Sequence, residues 1–377
     1  MGIKKRMLFV IPNIRVGTGI TSVIMNHYDR LIKDGYHIDF CMLQDRESPY
    51  KQKIIDSNGK IYVMPEGRNG YPDKKKTPGF IEELIKNGRY DVVHIHIIGR
   101  FGVCAAKYAK KYSVPYRIYH AHNPRDIHDL HSLCASVIFD NLCVRYSNYY
   151  LACSKDAGKS VFGKRRFEVI KNTIDTEKIR FSQTERLRIR KEFGISETTK
   201  VLGTVCRLSH QKNPFFIIDI FKAFHERCND SVLLWAGSGD LDKQVKEYVD
   251  ALGLSSCVYF LGSRSDVAGL YSAMDAFVLP SRYEGLGIVY IEAQSCGLPT
   301  FASDVVPKDT KVTDLIEYLS LSDKDLKWAK TILDTISTHS TQDRSGYSNI
   351  VVNAGYDSSL NNDLSEYYTK LLQESGE

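Results

Sequence analysis

The sequence has little of what marks membrane-spanning, secreted or cysteine-stapled proteins. No stretch of its 377 residues reaches the roughly 18 uninterrupted apolar residues that a spanning helix needs. Its nine cysteines are odd in number and never stand in C-x-x-C spacing, so they predict neither a disulfide framework nor a cysteine zinc site. The first apolar run, Met7 to Pro12, follows three basic residues without a signal-peptide core and is predicted to be a buried strand. We therefore expect a cytoplasmic protein.

The composition is that of a folded protein rather than a disordered one. Apolar residues make up 43% of the chain and charged residues 25%, and the mean hydropathy is −0.28. A chain of 377 residues is long enough for two domains of about 150 to 190 residues each. These values exclude a peptide hormone, a disordered tail and a lone binding module.

Positive charge is concentrated in the first half of the chain. Residues 1–180 carry 31 lysines and arginines against 18 acidic residues, whereas residues 181–377 carry 20 against 27. The basic clusters include Lys74–Lys76 and Lys164–Arg166. Two interpretations stay open: attraction to an anionic membrane surface or another polyanion, and scattered charge that keeps the protein soluble. A nucleic-acid partner is not expected, because no recognition motif accompanies the charge.

Short β-branched or aromatic runs alternate with longer helical patterns, which is typical of parallel α/β architecture. The alternation restarts at a strand beginning near Val201, so we predict two Rossmann-like, doubly wound domains that face each other across a cleft. The predicted domains span 1–175 and 176–358, and residues 359–377 are predicted to form a helix that packs back on the first domain. Beyond Asp304 the pattern loosens into polar helices and loops.

The segment 280–299 is the most informative one. A predicted strand ends at Pro280, and the turn Glu284-Gly-Leu-Gly287 leads into a helix. Free backbone N–H groups at a helix start favour an anion such as a phosphate. Glu284 is placed to reach a sugar, and Glu292, further along the helix, to accept hydrogen bonds from ribose hydroxyls. The predicted contacts around the phosphate are Gly285, Leu286, Gly287 and Ile288.

Glu284 and Glu292 stand between a Ser-Arg-Tyr stretch and a closing Gly-Leu-Pro. This pattern resembles the E-x7-E motif of the retaining GT-B glycosyltransferases of family 4, also called glycosyltransferase group 1. The resemblance is strongest to bacterial enzymes of capsular and exopolysaccharide synthesis and extends over nearly the whole chain. It implies a first domain that binds an acceptor and a second domain that binds a nucleotide-sugar donor.

Arg207 and Lys212 follow the predicted strand that begins at Val201. Two cations at the carboxyl end of a strand can neutralise a diphosphate and stabilise it as it leaves. The resemblance implies that both residues clamp the donor's pyrophosphate; the alternative is a pair of solvated surface charges. It also implies a turn near the donor at Gly237 and a contact with the nucleotide base near Arg264.

The loop after the first strand contains Gly17, Thr18 and Gly19, which resemble the family's Gly-Gly-x-Glu loop for an acceptor or phosphate. Thr18 replaces one glycine and Thr21 replaces the glutamate, which weakens any role for individual side chains. A nicotinamide-dependent dehydrogenase is not expected, since Ser22 stands where the G-x-G-x-x-G fingerprint needs its last glycine.

Four histidines form two pairs, His94 with His96 and His120 with His122, at the ends of successive predicted strands. Residues two apart on a strand point the same way, so a zinc site is one interpretation. No carboxylate or cysteine pattern supports it, and we expect no metal. The resemblance implies that His122 lines the reaction centre and that the other three pack around it.

The resemblance implies a metal-independent hexosyltransferase that retains the anomeric configuration and needs no cofactor beyond its nucleotide diphosphate sugar. The expected donor is a UDP-hexose or UDP-N-acetylhexosamine, and the expected acceptor is a saccharide carried on a lipid diphosphate at the inner membrane face. Transfer would proceed by direct same-face substitution or through a covalent intermediate on Glu284. A catalytically silent sugar-binding or scaffold protein and a GT-B nucleotide-sugar epimerase remain alternatives. The expected catalytic residues are Glu284, His122, Arg207 and Lys212.

Overall fold

The computed structural model describes residues 5–15, 19–125, 130–338, 341–361 and 363–373. The chain divides into two compact units, here called the first and the second domain. The first comprises Met1–Asn172 with Asn362–Glu377, and the second Thr173–Asn361.

The predicted boundaries after residues 175 and 358 fall just inside the second domain. Hydrogen bonds explain the difference: the N–H of Ile174 donates to the carbonyl of Tyr356, and the N–H of Ser358 donates to the carbonyl of Ile174. The segment around Ile174 and the segment 356–358 are thus hydrogen-bonded to each other, and both belong to the second domain.

The first domain is built on a seven-stranded parallel sheet in the order β3-β2-β1-β4-β5-β6-β7. The strands are β1 Arg6–Ile11, β2 His37–Met42, β3 Ile61–Val63, β4 Val92–Ile95, β5 Tyr116–Ala121, β6 Tyr149–Ala152 and β7 Glu168–Val169. The helices are α1 Gly19–Lys33, α2 Tyr50–Asp56, α3 Lys76–Gly88, α4 Arg100–Lys111, α5 Leu130–Tyr146 and α6 Lys155–Phe162, and α14 Asp363–Gln373 completes the set.

Strand β1 shows why this sheet is covered on both faces. From Met7 to Ile11 its residues are apolar without alternation, as in the strands of parallel sheets. Met7 and Phe9 belong to one apolar core cluster, and Leu8 and Val10 belong to another. Because successive side chains point to opposite faces, the two clusters lie on the two sides of the sheet.

The final helix, α14, packs on the first domain, as the sequence predicts. Leu364, Tyr368 and Leu371 are buried in the same core cluster as Met7 and Phe9. The first domain is therefore assembled from two separate parts of the chain.

The second domain contains a six-stranded parallel sheet in the order β10-β9-β8-β11-β12-β13. The strands are β8 Lys200–Val205, β9 Ser231–Ala236, β10 Val258–Phe260, β11 Ala276–Leu279, β12 Thr300–Ser303 and β13 Ile316–Leu319. The helices are α7 Gln183–Glu192, α8 Pro214–His225, α9 Asp242–Ala251, α10 Val267–Ala273, α11 Ile288–Ser295, α12 Asp325–Thr338 and α13 Tyr347–Asn353. None of the described helices of either domain is long and apolar enough to cross a membrane.

We expect Leu364→Ala to destabilise the first domain by about 3 kcal/mol, because it opens a cavity where a side chain 1% exposed now packs. Both tryptophans, Trp235 and Trp328, are buried in the second domain. Urea unfolding followed by tryptophan fluorescence therefore monitors the second domain, and circular dichroism monitors both. The substitution should move the unfolding of the first domain, seen by circular dichroism, to lower urea concentration. The fluorescence transition of the second domain should stay in place.

Leu360→Ala is the matched control, because Leu360 is 68% exposed and lies just before the same helix. It should leave both transitions in place. Equal effects of the two substitutions would show that α14 contributes nothing specific to the first core.

Candidate active site

The second sheet brings two loops together at the point where its strand order reverses. Strand β8 lies between β9 and β11, and the chain continues from β8 toward one edge of the sheet and from β11 toward the other. Open parallel sheets bind ligands outside the carboxyl ends of their strands at such a reversal. Arg207 and Lys212 follow β8, and Glu284 follows β11. These two loops form the candidate site of the second domain.

Lys212 and Glu284 form a buried ion pair between the two loops. Nζ of Lys212 lies 2.5 Å from Oε1 of Glu284, and the two side chains are only 14% and 4% exposed. Oγ of Ser281 donates to the same carboxylate oxygen at 2.6 Å. The amide of Gln211 donates to the carbonyl of Tyr283 at 3.0 Å and, at 3.4 Å, to the second carboxylate oxygen. These hydrogen bonds offset the cost of burying the pair.

The other cation of the β8 loop, Arg207, is exposed. Its carbonyl accepts a hydrogen bond from the N–H of Ser209 at 3.0 Å, in a turn that leads into the short helical segment His210–Lys212. Asn213 ends that segment in the left-handed conformation and accepts a hydrogen bond from Arg282 at 2.8 Å. The loop therefore presents one fixed and one solvent-exposed positive charge.

Glycines let the turn after β9 approach the β8 loop closely. A Cβ on Gly237 would lie 2.0 Å from the carbonyl oxygen of Cys206, and one on Gly239 would lie 2.3 Å from that of Leu208. Gly237 also has a φ of +134° and donates its N–H to the carbonyl of Gly262 at 2.7 Å. The predicted donor-side turn is thus packed directly against the loop that carries Arg207.

Gly287 caps the start of helix α11, and its φ of +80° favours glycine. A Cβ there would also lie 2.6 Å from the ring of Tyr290. In the part of the chain that the structure describes, the N–H groups of Leu286, Gly287 and Ile288 donate to no other backbone group. Together with the helix dipole they make the start of α11 suited to an anion, beside the buried Gly285 and Glu284.

Glu292 lies one turn inside α11 and is partly exposed. The hydroxyl of Tyr271 donates to its Oε2 at 2.8 Å. Burial raises the pKa of Glu292, and the hydrogen bond from Tyr271 opposes that shift. The carboxylate is held in one orientation and retains capacity to accept further hydrogen bonds.

Arg264, predicted to contact the base, is bound to two carboxylates in the structure. Its guanidinium lies 2.7 Å from Glu192 and 2.8 Å from Asp266, and its pKa is raised because these groups accept its hydrogen bonds. A contact between Arg264 and a base stays a prediction.

Three residues that contact Glu284 or Glu292 were not predicted from the sequence: Gln211, Ser281 and Tyr271. The first two are next to motif positions, and a polar residue beside a predicted buried carboxylate is the signal that could have found them. Tyr271 comes from α10, and nothing in its sequence neighbourhood indicates its contact with Glu292.

In the first domain, His122 directly follows β5. Its Nε2 lies 2.8 Å from Nδ1 of His96, and its ring stacks on that of His120 with centroids 4.2 Å apart. Burial lowers the pKa of His122 to about 3, so the ring is neutral near pH 7. A neutral imidazole in this place can donate from one nitrogen while the other is held by His96.

The loop after β1 is described in part. Gly17 and Thr18 lie outside the described residues, and Gly19 is the exposed first residue of α1. Oγ1 of Thr21 donates to the carbonyl of Asn13 at 3.0 Å, so the threonine that replaces the family's glutamate ties the helix to this loop.

Two family models match successive parts of the chain. Residues 17–178 match the model described as Glycosyltransferase Family 4, and residues 185–319 match that described as Glycosyl transferases group 1. The second match contains all the loops of the candidate site just described.

Two curated proteins match over most of their lengths. EpsF of Bacillus subtilis strain 168, which is named a glycosyltransferase, is 29% identical over 338 residues, 87% of either chain. The UDP-Gal:alpha-D-GlcNAc-diphosphoundecaprenol alpha-1,3-galactosyltransferase of Escherichia coli is 25% identical over 302 residues, 76% of either chain.

Solved structures share the fold at low identity. HepE of Anabaena, crystallised with UDP and glucose, gives a TM-score of 0.76 at 19% identity, over 97% of this chain and all of the other. Sucrose-phosphate synthase of Thermosynechococcus elongatus gives 0.76 at 15% identity, over 98% and 100%. The sheet orders, the two family models and these relatives agree, and we conclude that the chain belongs to the group 1 glycosyltransferases of family 4 and has the GT-B fold predicted from its sequence.

Proposed function

We propose that the protein transfers a hexose or N-acetylhexosamine from a UDP-sugar to a saccharide acceptor, with retention at the anomeric carbon. The observation that carries the proposal is the ion pair of Lys212 and Glu284 between the β8 and β11 loops. It is close in sequence to the start of α11, where three N–H groups donate to no other backbone group of the described residues. The UDP in the HepE structure and the UDP-galactose in the name of the Escherichia coli relative support a uridine donor.

The positive groups of the β8 loop and of the start of α11 are proposed to bind the diphosphate of the donor. Negative charge grows on the leaving phosphate during transfer, so fixed positive groups lower the barrier. Lys212, held by Glu284, and the N–H groups of Leu286 and Gly287 supply such groups without rearrangement. The exposed Arg207 adds a second cation. Two side-chain cations and a helix start neutralise a diphosphate, and the proposed step therefore uses no metal and no cofactor.

Glu284 has two roles in this scheme. Its Oε1 accepts from Lys212 and Ser281, and its Oε2, with only the long contact from Gln211, is available to a sugar hydroxyl. Since Glu284 already holds the lysine, we propose the direct same-face substitution, in which the diphosphate assists the incoming hydroxyl. Failure to trap a covalent sugar adduct on Glu284 fits this route; a trapped adduct rules it out.

His122 is proposed to line the reaction centre from the first domain. If His96 donates through Nδ1, the Nε2 of His122 accepts, and Nδ1 of His122 carries the remaining proton. That N–H can donate to a donor-sugar hydroxyl. The ring itself carries no charge near neutrality, because burial lowers the pKa of His122 to about 3.

A lipid-diphosphate acceptor, in capsular or exopolysaccharide synthesis, is the proposed partner class. The name of the Escherichia coli relative specifies a sugar carried on diphosphoundecaprenol. The excess of basic residues in 1–180 and the exposed clusters Lys74–Lys76 and Lys164–Arg166 suit an anionic membrane surface. Location at the inner membrane face follows from the same proposal.

We expect the protein to release UDP from a UDP-sugar when a diphosphoundecaprenol-linked saccharide is present. A thermal-shift panel of UDP-, GDP-, ADP- and dTDP-sugars identifies the donor first, and product analysis by mass spectrometry follows. A thermal shift without product would indicate a sugar-binding protein. Conversion of the donor sugar in the absence of acceptor would indicate an epimerase.

Lys212→Ala should reduce kcat by about a hundredfold or more, because the leaving diphosphate loses a fixed cation. Lys222→Ala is the control: Lys222 lies on α8 in the same domain, its pair with Glu226 is exposed, and turnover should stay normal. Lys212→Ala with turnover near that of the wild type would refute the assignment.

The single substitution leaves Glu284 buried without its partner, which is destabilising. Lys212→Ala combined with Glu284→Gln removes that unpaired charge and should restore the melting temperature but not the activity. This second variant shows whether the pair can be removed without loss of folding, and its lost activity is then that of the pair, since Glu284 is itself proposed to contact the sugar.

Glu292→Gln should raise the donor KM about tenfold and change kcat little, because a charged acceptor for the ribose hydroxyls is lost. Since the pKa of Glu292 is raised, the donor KM of the wild type should also increase as the pH falls through that pKa, and the variant should lose this dependence. Steady-state kinetics over a series of pH values from neutrality downwards test both.

Glu317→Gln is the control for this experiment. Burial also raises the pKa of Glu317, which lies on β13, away from the β8 and β11 loops. Its replacement should leave the donor KM and its pH dependence unchanged. The same KM for Glu292→Gln and wild type at every pH would contradict the ribose contact.

A further inference from the structure

Four histidines crowd together at the carboxyl ends of β4 and β5 in the first domain. His94 lies on β4, His96 directly follows it, and His120 lies on the neighbouring β5. The ring centroids of His94 and His96 are 4.0 Å apart, and each is 5.3 Å from that of His120. His94, His96 and His120 are each at most 3% exposed. His94 and His96, at alternate positions at the end of β4, thus face His120 on the neighbouring strand.

Two of these rings have one nitrogen engaged. Nδ1 of His94 lies 2.6 Å from the hydroxyl of Tyr368 on α14. Nδ1 of His96 lies 2.8 Å from Nε2 of His122. Metal-bound histidines usually have the second ring nitrogen held by a hydrogen bond in this way, which fixes ring orientation and tautomer.

The remaining nitrogens have no partner among the residues that the structure describes. They are Nε2 of His94, Nε2 of His96 and both ring nitrogens of His120, and all are buried. One ring nitrogen from each of the three residues lies within 4.8 Å of the others. Buried polar atoms are normally satisfied, so a group of four unpaired nitrogens in one place points to a ligand.

The chemistry of this cluster suits a soft or borderline cation. Burial lowers the pKa of each of the three rings well below its ordinary value, so they are neutral and offer lone pairs. Three imidazoles and a water are a zinc coordination set. Imidazole ligands without carboxylates disfavour Mg²⁺ and Ca²⁺, which prefer oxygen.

We propose that His94, His96 and His120 bind one Zn²⁺ ion, with a water as fourth ligand, in the first domain. The proposed transfer step itself uses no metal, but its residue His122 contacts the zinc ligand His96. It joins β4 to β5 and, through Tyr368, connects both strands to the final helix. Coordination by His96 through Nε2 places its proton on Nδ1, which then donates to His122.

The experiment uses the full chain, produced without a polyhistidine tag and purified without chelators. Inductively coupled plasma mass spectrometry should find about one zinc per chain. Dialysis against a strong chelator should remove it and lower the melting transition seen by circular dichroism but not by tryptophan fluorescence, since both tryptophans lie in the second domain. Added Zn²⁺ should reverse the shift, and added Mg²⁺ should not.

His120→Gln should reduce bound zinc at least tenfold. His225→Gln is the matched control, because His225 lies on α8 of the second domain and bonds to Ser231; it should keep the full zinc content. Tyr368→Phe should weaken zinc affinity by about 10- to 100-fold, the usual effect of losing an outer-shell partner.

Wild-type protein that contains no zinc and takes up none on refolding with Zn²⁺ overturns the proposal and indicates that bound water satisfies the rings. Equal zinc in His120→Gln and wild type also overturns it. If His120→Gln fails to fold, Co²⁺ in the wild type decides: intense visible absorption bands of a four-coordinate site support the proposal, and their absence refutes it. None of these outcomes depends on transferase activity.

Discussion

The arrangement of the β8 and β11 loops depends on one buried ion pair, that of Lys212 with Glu284. It joins the loop after β8 to the loop after β11, at the reversal of the strand order where a parallel sheet leaves room for a ligand. Because Ser281 and Gln211 also hold the carboxylate, the ammonium has a fixed position. A cation positioned in this way does not have to be ordered when charge develops on a leaving group, which is the main electrostatic advantage that a protein has over water.

Much of the fold could be predicted because its signals are local. The apolar run of β1 and the restart of the alternation at Val201 identify two parallel sheets, and the family resemblance implies the GT-B fold. Helix α5, Leu130–Tyr146, was not predicted, because apolar residues occur on all its sides and leave no helical period. Strands β12 and β13 contain Thr300, Ser303 and Glu317, so neither stands out as an apolar run.

The candidate site, too, could be predicted only where its signals are local in the sequence. The turn before α11 follows from its glycines, since Gly287 adopts a φ that other residues avoid. The pairing of Lys212 with Glu284 and the contact of Tyr271 with Glu292 depend on which loops and helices meet after folding, and no spacing in the sequence encodes that. The histidine pairs show both cases: their spacing predicts a shared face, whereas the tyrosine that contacts His94 comes from the far end of the chain.

The return of α14 to the first domain has a consequence for biosynthesis. Residues 173–361 are contiguous, so the ribosome delivers everything that the second core needs before the first is complete. The first core lacks Leu364, Tyr368 and Leu371 until the ribosome has translated the whole second domain. The first domain is therefore begun before the second and completed after it, and in the meantime the face that α14 will cover presents apolar surface to the chaperones of the cell.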